Sequence, residues 1–228
     1  MNTRGQSGLD LSADRARALA LTPVSRETLA RLDRFVDLFV LWQSKTNLVA
    51  SSTLPHLWTR HIADSLQLLD LAPKNVRVWV DFGSGGGFPA IPIACALAEK
   101  ADAVVHLVES NSKKAAFLRE AVRVTGVKAQ VHAVRIENFG ESYGDNVDVV
   151  SARALAPLKT LCDQAFPLIA RGAVGLFPKG QDVEAELTEA AKCWIIEAST
   201  VPSKTSREGC IVVVRGLRRA AEQVLPSS

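Results

Sequence analysis

Two hydrophobic periods divide this chain. Between Arg26 and Lys45 the apolar side chains Leu29, Leu32, Phe35, Val36, Leu38, Phe39 and Trp42 recur at three- and four-residue spacing. That is the period of a helix with one wide buried face. Leu11 to Leu21 is alanine-rich and predicts a shorter helix, and Thr22-Pro23-Val24-Ser25 separates the two, with Ser25 placed to cap the second. Leu54 to Leu71 predicts a third helix. Residues 1 to about 10 are polar and glycine-containing and read as a disordered tip.

From Val78 onward the pattern changes to short apolar runs of strand length: 78–80, 103–108, 128–134, 147–150 and 173–177. Helical stretches at 90–98, 112–125, 157–170 and 183–192 fall between them, and 135–139 reads as a loop. Strands alternating with helices predict a doubly wound, mostly parallel sheet. The last two runs, 194–198 and 210–214, lie too close together for a crossover helix. They predict antiparallel neighbours, and so one reversed strand near the sheet edge. The expected organisation is an N-terminal helical extension, residues 1–75, packed on an α/β domain, residues 76–228.

The junction that matters is Val78-Trp-Val-Asp81-Phe-Gly83-Ser-Gly85-Gly-Gly87-Phe88-Pro89. Strand, glycine turn and helix, with Pro89 at the helix start, form the layout of a nucleotide-binding unit. Glycines permit positive φ and close backbone approach to a ligand. A dinucleotide fingerprint would need a small residue at 88, where this chain has Phe. A pyrophosphate on the helix N-terminus is also poorly served by an acid at the turn. Asp81 with Gly83, Gly85 and Gly87 suits a ligand carrying positive charge, such as the ammonium and sulfonium of S-adenosylmethionine. The competing reading is a plain tight turn with Asp81 as a helix-terminal acid. A dehydrogenase is disfavoured by Asp81 and Phe88.

Composition narrows the class. The 228 residues are 47% hydrophobic and 22% charged, ordinary values for a globular chain with a sizeable core. A net charge of +3 permits a nucleic-acid partner without arguing for one. No segment resembles a signal peptide or a membrane span, so a soluble cytoplasmic protein with no membrane contact is expected. Cys95, Cys162, Cys193 and Cys210 form no C-x-x-C pair and read as buried, reduced thiols, with no metal site.

In such a sheet, ligands bind beyond the carboxyl ends of the strands. Glu109 ends the second strand roughly twenty residues after the glycine turn, where an acid meets ribose hydroxyls. Ile136 and Glu137 follow the third, where an adenine ring would lie. Arg153 follows the fourth, beside the expected transfer centre, and Lys113, Arg153 and Lys179 are distributed along the same rim. A spread of cations suits phosphates, whereas Lys114, Arg119 and Arg123 read as solvated helix surface. The Arg215-Gly-Leu-Arg218-Arg219 tail leaves RNA contact and solubility both open. In the extension, the aromatic stripe reads as core, while for Asn47, His61 and Asp64 the structural and functional readings lie closer together, lone polar residues near helix ends being mostly caps or satisfied hydrogen bonds.

Taken together, Asn47-Leu48-Val49, Arg60-His61-Ile-Ala-Asp64-Ser-Leu66, the 81–92 glycine motif, Ser151-Ala-Arg153-Ala154 and Phe177-Pro-Lys179-Gly180 resemble the RsmG family, also called glucose-inhibited division protein B. The glycine motif alone indicates only a class I methyltransferase. The resemblance covers about residues 35 to 179. It implies a Rossmann-like class I fold and methyl transfer from S-adenosylmethionine to N7 of guanine 527, in the 530 loop of bacterial 16S rRNA, free or within a small-subunit particle. It further implies cofactor contacts at Gly83 and Phe88, an adenosine site at Ile136 and Glu137, Arg153 at the cofactor–substrate junction, and RNA-facing Lys113 and Lys179. Glu109 stands where many relatives carry Asp. A monomer is expected. The alternatives are a methyltransferase acting on a small molecule and a non-catalytic RNA-binding assembly factor.

Overall fold

The computed structural model describes residues 10–220. The chain begins with α1 (Ser12–Leu21) and α2 (Arg26–Gln43). Ser25 caps α2 as its position predicts: its Oγ accepts the Thr28 N–H at 3.1 Å. The expected disordered tip lies outside the described residues except for Asp10.

The stretch expected as one helix over 54–71 is a broken spiral instead. A 3₁₀ segment (Ser51–His56), a π-helical turn (Trp58–Ala63), a single turn α3 (Asp64–Leu66) and a second 3₁₀ segment (Gln67–Asp70) follow one another. Pro55 withholds an N–H, and the buried carboxylate of Asp14 on α1 accepts the N–H groups of Trp58 and Thr59 at 2.8 and 3.2 Å. The spiral is thus capped anew from another helix at Trp58. Leu57, Trp58, Ile62, Leu66 and Leu68 are all buried, and no single helical stripe would bury them all.

The sheet follows: β1 (Val78–Phe82), α4 (Ala90–Leu97), β2 (Val104–Val108), α5 (Ser112–Thr125), β3 (Ala129–His132), α6 (Ile136–Ser142), β4 (Val149–Ala152), α7 (Leu158–Ile169), β5 (Val174–Lys179), α8 (Val183–Ala191), β6 (Trp194–Pro202) and β7 (Cys210–Arg219). Spatial order is β3-β2-β1-β4-β5-β7-β6. The first five strands are parallel, and β7 runs antiparallel to both β5 and β6. The last two strands extend well past their expected ends because they pair as one long hairpin, with a bulge between Glu197 and Ala198.

One difference bears on the site. Residues 136–142 form α6 rather than a loop. Phe139 is buried and stacks on Tyr143 at 4.9 Å between ring centres. That contact joins the helix to its C-cap residue, and with the burial of Phe139 it favours the helix despite Gly140. Cys95 and Cys162 are buried thiols, whereas Cys193 and Cys210 are partly exposed, the first at the α8–β6 turn and the second at the start of β7. No helix among the described residues is long and apolar enough to cross a membrane.

Two apolar layers cover the sheet. On one face the extension and α4–α5 share a core in which Phe35, Phe39, Trp58, Trp79 and Phe117 are fully buried. On the other face Phe82, Phe139, Leu161, Phe177 and Trp194 pack beneath α6, α7 and α8. The ring of Phe35 meets those of Phe39, Phe88 and Phe117 at 5.3–6.2 Å between centres. A single aromatic side chain therefore joins extension, glycine turn and α5. Phe35→Ala should cost about 3–5 kcal/mol. In urea titration the loss should appear as one cooperative transition at lower midpoint, because the extension has no separate core to unfold by itself.

Candidate active site

The glycine turn is pinned from the neighbouring strand. The N–H groups of Gly83 and Ser84 both donate to the Val108 carbonyl at the end of β2, at 2.9 and 3.1 Å. The Gly85 N–H donates to Glu109 Oε2 at 2.9 Å, and the other Glu109 oxygen accepts the Asn111 N–H at 2.7 Å. Asn111 in turn caps α5 by accepting from Lys113 N and Lys114 N. Glu109, expected at a ribose, is thus already a support of the turn, with lone pairs still free on both oxygens.

Gly85 has φ +51°, and a Cβ placed there would meet nothing nearer than the Gly83 carbonyl at 3.5 Å. The glycine is needed for its conformation, and it leaves open space in front of the backbone. Gly83 also has positive φ, and its missing Cβ is the room in which the Leu155 side chain lies, 2.6 Å from where that atom would be.

A cavity of about 340 Å³ opens in front of this turn. It brings together Gly83, Gly85, Glu109, Ile136 and Glu137, all read from the sequence as cofactor residues, with the apolar side chains of Val134 and Leu155. Glu137 accepts from Gln164 Nε2 at 3.0 Å. Its own backbone N–H, then Gln164, hold its carboxyl below the ordinary range.

Asp81, Gly87 and Phe88 line neither this cavity nor the larger cleft beside it. Phe88 is 5% exposed and enclosed by Phe35, Phe39 and His61. Asp81 is completely buried behind the turn. The Trp79 indole donates to Ser151 Oγ at 2.9 Å, and that hydroxyl donates to Asp81 Oδ1 at 2.7 Å. Oδ2 has no partner. Burial pushes the Asp81 carboxyl up to about 7, against the pull of Ser151, Ser84 and Arg153. An unpartnered buried carboxylate oxygen fits a donor, and a cationic one best.

A second cleft, about 850 Å³, adjoins the first. The two share Ala154 and Leu155 as a common wall. Ala154 holds this wall at φ +51°, a conformation costly for a residue with a Cβ, and Leu155 is 37% exposed. Arg153 lines the larger cleft with Arg60, His61 and Asp64 from the extension. Its Nη1 donates to the Arg60 carbonyl at 3.0 Å and to Asp64 Oδ2 at 3.2 Å, and its Nη2 donates to His61 Nδ1. The guanidinium also lies over the Phe88 ring, 5.6 Å from its centre. On its other oxygen Asp64 accepts from Thr205 Oγ1 at 2.6 Å and Gln67 Nε2 at 2.8 Å, which ties in the β6–β7 turn.

The two outer lysines differ. Lys113 is exposed on α5. The Lys179 side chain is only 8% exposed, and its ammonium is turned inward to the Ala156 carbonyl (2.8 Å) and Glu186 Oε2 (2.6 Å). Glu186 also accepts the Leu158 N–H, so this pair fixes the far end of the wall between the cavities. Sequence reasoning weighed His61 and Asp64 without assigning them to Arg153, gave Ser151 a place in a motif but no role, and did not find Glu186 or Thr205. Only the Arg-His-x-x-Asp spacing carried a signal, and it named no partner. Among the described residues no cluster of three or more His, Cys, Asp or Glu side chains is placed to hold a metal ion.

Comparison with known proteins adds to this geometry. The family model described as GidB, rRNA small subunit methyltransferase G, matches residues 28–212. The ribosomal RNA small subunit methyltransferase G of Bradyrhizobium sp. (strain BTAi1) is 61% identical, covering 92% of this chain and 94% of its own. That of Nitrobacter hamburgensis is 60% identical over 91% of this chain and 80% of its own. Among solved structures, an O-methyltransferase from Bacillus cereus in complex with SAH covers 90% of this chain and 98% of its own at TM-score 0.59 and 12% identity. Cofactor-bound Rv0187 from MTB covers 92% and 99% at 0.58 and 14%. The likenesses at such low identity show the fold, which is that of class I methyltransferases.

The buried carboxyl sets a pH signature. Asp81 stays protonated in the folded chain up to about pH 7 and ionises near 3.8 when unfolded. Its contribution to stability is therefore present at low pH and is lost as pH rises through that window, by up to about 1.4 kcal/mol per pH unit. In urea titrations from pH 5 to 8 without ligand, Asp81→Asn should flatten this slope and be the more stable form at pH 8.

Proposed function

Since this chain belongs to the rRNA small subunit methyltransferase G family, we propose that it transfers the methyl group of S-adenosylmethionine to N7 of guanine 527, in the 530 loop of 16S rRNA. The observation that carries the reading is the pair of adjoining cavities at the carboxyl edge of the sheet, with one loop as their shared wall and Arg153 beside it.

The residues present fit the cofactor. Glu109 has acceptor capacity to spare for ribose hydroxyls, Ile136 offers an apolar face for a ring, and the unpartnered oxygen of Asp81, buried behind the turn, favours a nearby cation once the carboxyl ionises. Bound there, S-adenosylmethionine supplies an electrophilic methyl group on a sulfonium. Guanine N7 carries a free lone pair and no proton, so the site needs no general base. What this chain contributes is placement and electrostatics. The larger cleft admits a base turned out of a loop, Leu155 presents an apolar surface at the boundary, and Arg153 orients the base or its phosphate. Lys113 offers a surface cation to RNA phosphates. Lys179, expected to face RNA, is assigned to bracing the loop between the cavities, since its ammonium is engaged by the Ala156 carbonyl and Glu186.

Two measurements test this reading. The first is transfer of labelled methyl to small-subunit particles and to naked 16S rRNA from cells lacking this modification, followed by mapping of the base. Label at N7 of guanine 527, falling steeply with salt, is expected. Salt-insensitive transfer to a small molecule and none to RNA would replace it. The second is Gly85→Asp, which should lower cofactor affinity at least 100-fold while leaving the circular dichroism spectrum unchanged, because it fills the open approach with a side chain. Unchanged calorimetric affinity would remove the cofactor from this cavity.

A further inference from the structure

Arg153 issues from the end of β4, yet every hydrogen bond it makes among the described residues goes to the helical extension. A guanidinium has five N–H donors and no acceptor. The His61 Nδ1 that it meets must therefore carry a lone pair, which places the ring hydrogen on Nε2. That nitrogen faces Thr53 Oγ1 at 2.9 Å, an acceptor for it. Burial first, then Arg153 and Arg60, push His61 down to about 3, which keeps the ring neutral and the lone pair available.

We propose that His61 and Asp64 are positioning residues for methyl transfer: together they hold the Arg153 guanidinium in one orientation in the larger cleft, next to the loop that the two cavities share. The inference deepens the reading above and rests on it for the role of Arg153 toward substrate. Three of the five donors are committed to the Arg60 carbonyl, Asp64 and His61, and the guanidinium lies over the Phe88 ring. The two remaining N–H groups are left for a substrate oxygen or nitrogen. An arginine free in a cleft loses much rotamer freedom on engaging a ligand. Here that ordering is done in advance by three acceptors of different kinds. A tie between extension and sheet would need only the carboxylate. The neutral imidazole, locked in one tautomer by Thr53, adds directional control that a tie does not require. Asp64 is itself oriented from two sides, by Gln67 and by Thr205.

The test uses the full chain with His61→Ala, His61→Gln, Asp64→Ala, Asp64→Asn and Arg153→Ala, alone and combined. Single-turnover transfer to unmodified small-subunit particles should fall at least tenfold in His61→Ala, Asp64→Ala and Arg153→Ala. Cofactor affinity should stay within twofold in the His61 and Asp64 variants. Adding Arg153→Ala to either should cause no further loss, and His61→Gln, which keeps a neutral acceptor, should recover most of the rate. In nitrogen-15 spectra, assigned by their absence in Arg153→Lys, the two Nη groups of Arg153 should give separate signals in the wild type. Those signals should merge in Asp64→Ala, or in Asp64→Asn should the alanine variant not fold. Losses that multiply in the double variants, equal impairment of His61→Ala and His61→Gln, or separate Nη signals persisting without Asp64 would each overturn the proposal. Wild-type rate in Arg153→Ala would defeat both the orienting role of Arg153 and the proposal built on it. No RNA labelling by the wild type would defeat the RNA reading alone, since the spectra still decide whether the guanidinium is held.

Discussion

A backbone that passes through left-handed conformations at Gly83, Gly85 and Gly87 within five residues has to be held from outside, because it makes no regular ladder of its own. The neighbouring strand holds it. The Val108 carbonyl takes two of its N–H groups, and the Glu109 carboxylate takes a third. The register of β1 against β2, with Phe82 opposite Val108, brings those acceptors to the turn. The open cavity lies in front of that one junction. Glu109 thereby shapes the backbone while lone pairs on both its oxygens stay unused.

The same turn is the meeting point of the two halves of the chain. Phe88 leaves it to enter the aromatic cluster of the extension, where Phe35, Phe39 and His61 surround it, while Arg153 lies across its face. Gly86 and Gly87 leave no room for a Cβ against Leu48 and Phe35, so the extension packs directly on backbone. The helices before the sheet are therefore part of the site's construction. They close the core on one side and line the larger cleft with Arg60, His61 and Asp64 on the other.

Charge is distributed by burial. Asp81, wholly enclosed with one oxygen unpartnered, is held near neutrality until pH approaches 7. Lys179 is almost as enclosed, but it is paired with Glu186 and serves the loop between the cavities. Arg153 is partly enclosed and keeps donors in reserve. Three ionisable groups at strand ends thus have three different physical situations, although each is simply an acid or a base at a strand terminus in the sequence.

The alternation of apolar runs determined the fold, and the spacing of the glycines marked the turn in front of which a cavity opens, because both are local: a period of two or 3.6 and a positive φ are written in neighbouring residues. The residues placed at strand ends by that reading did reach one edge of the sheet. The family, too, was legible, since its motifs are short and contiguous. Local pattern was insufficient where packing overrode propensity, as in α6, built on the Phe139–Tyr143 stack, and in the 51–70 spiral, recapped by Asp14. It was insufficient again for side-chain partners. Arg153 reaches residues 89 to 93 positions away, and Asp64 meets Thr205 across 141. Which of two strand-end cations is left with free donors, and which is spent on a neighbouring acid, depends on distances between segments far apart in the chain, and only the folded arrangement sets those.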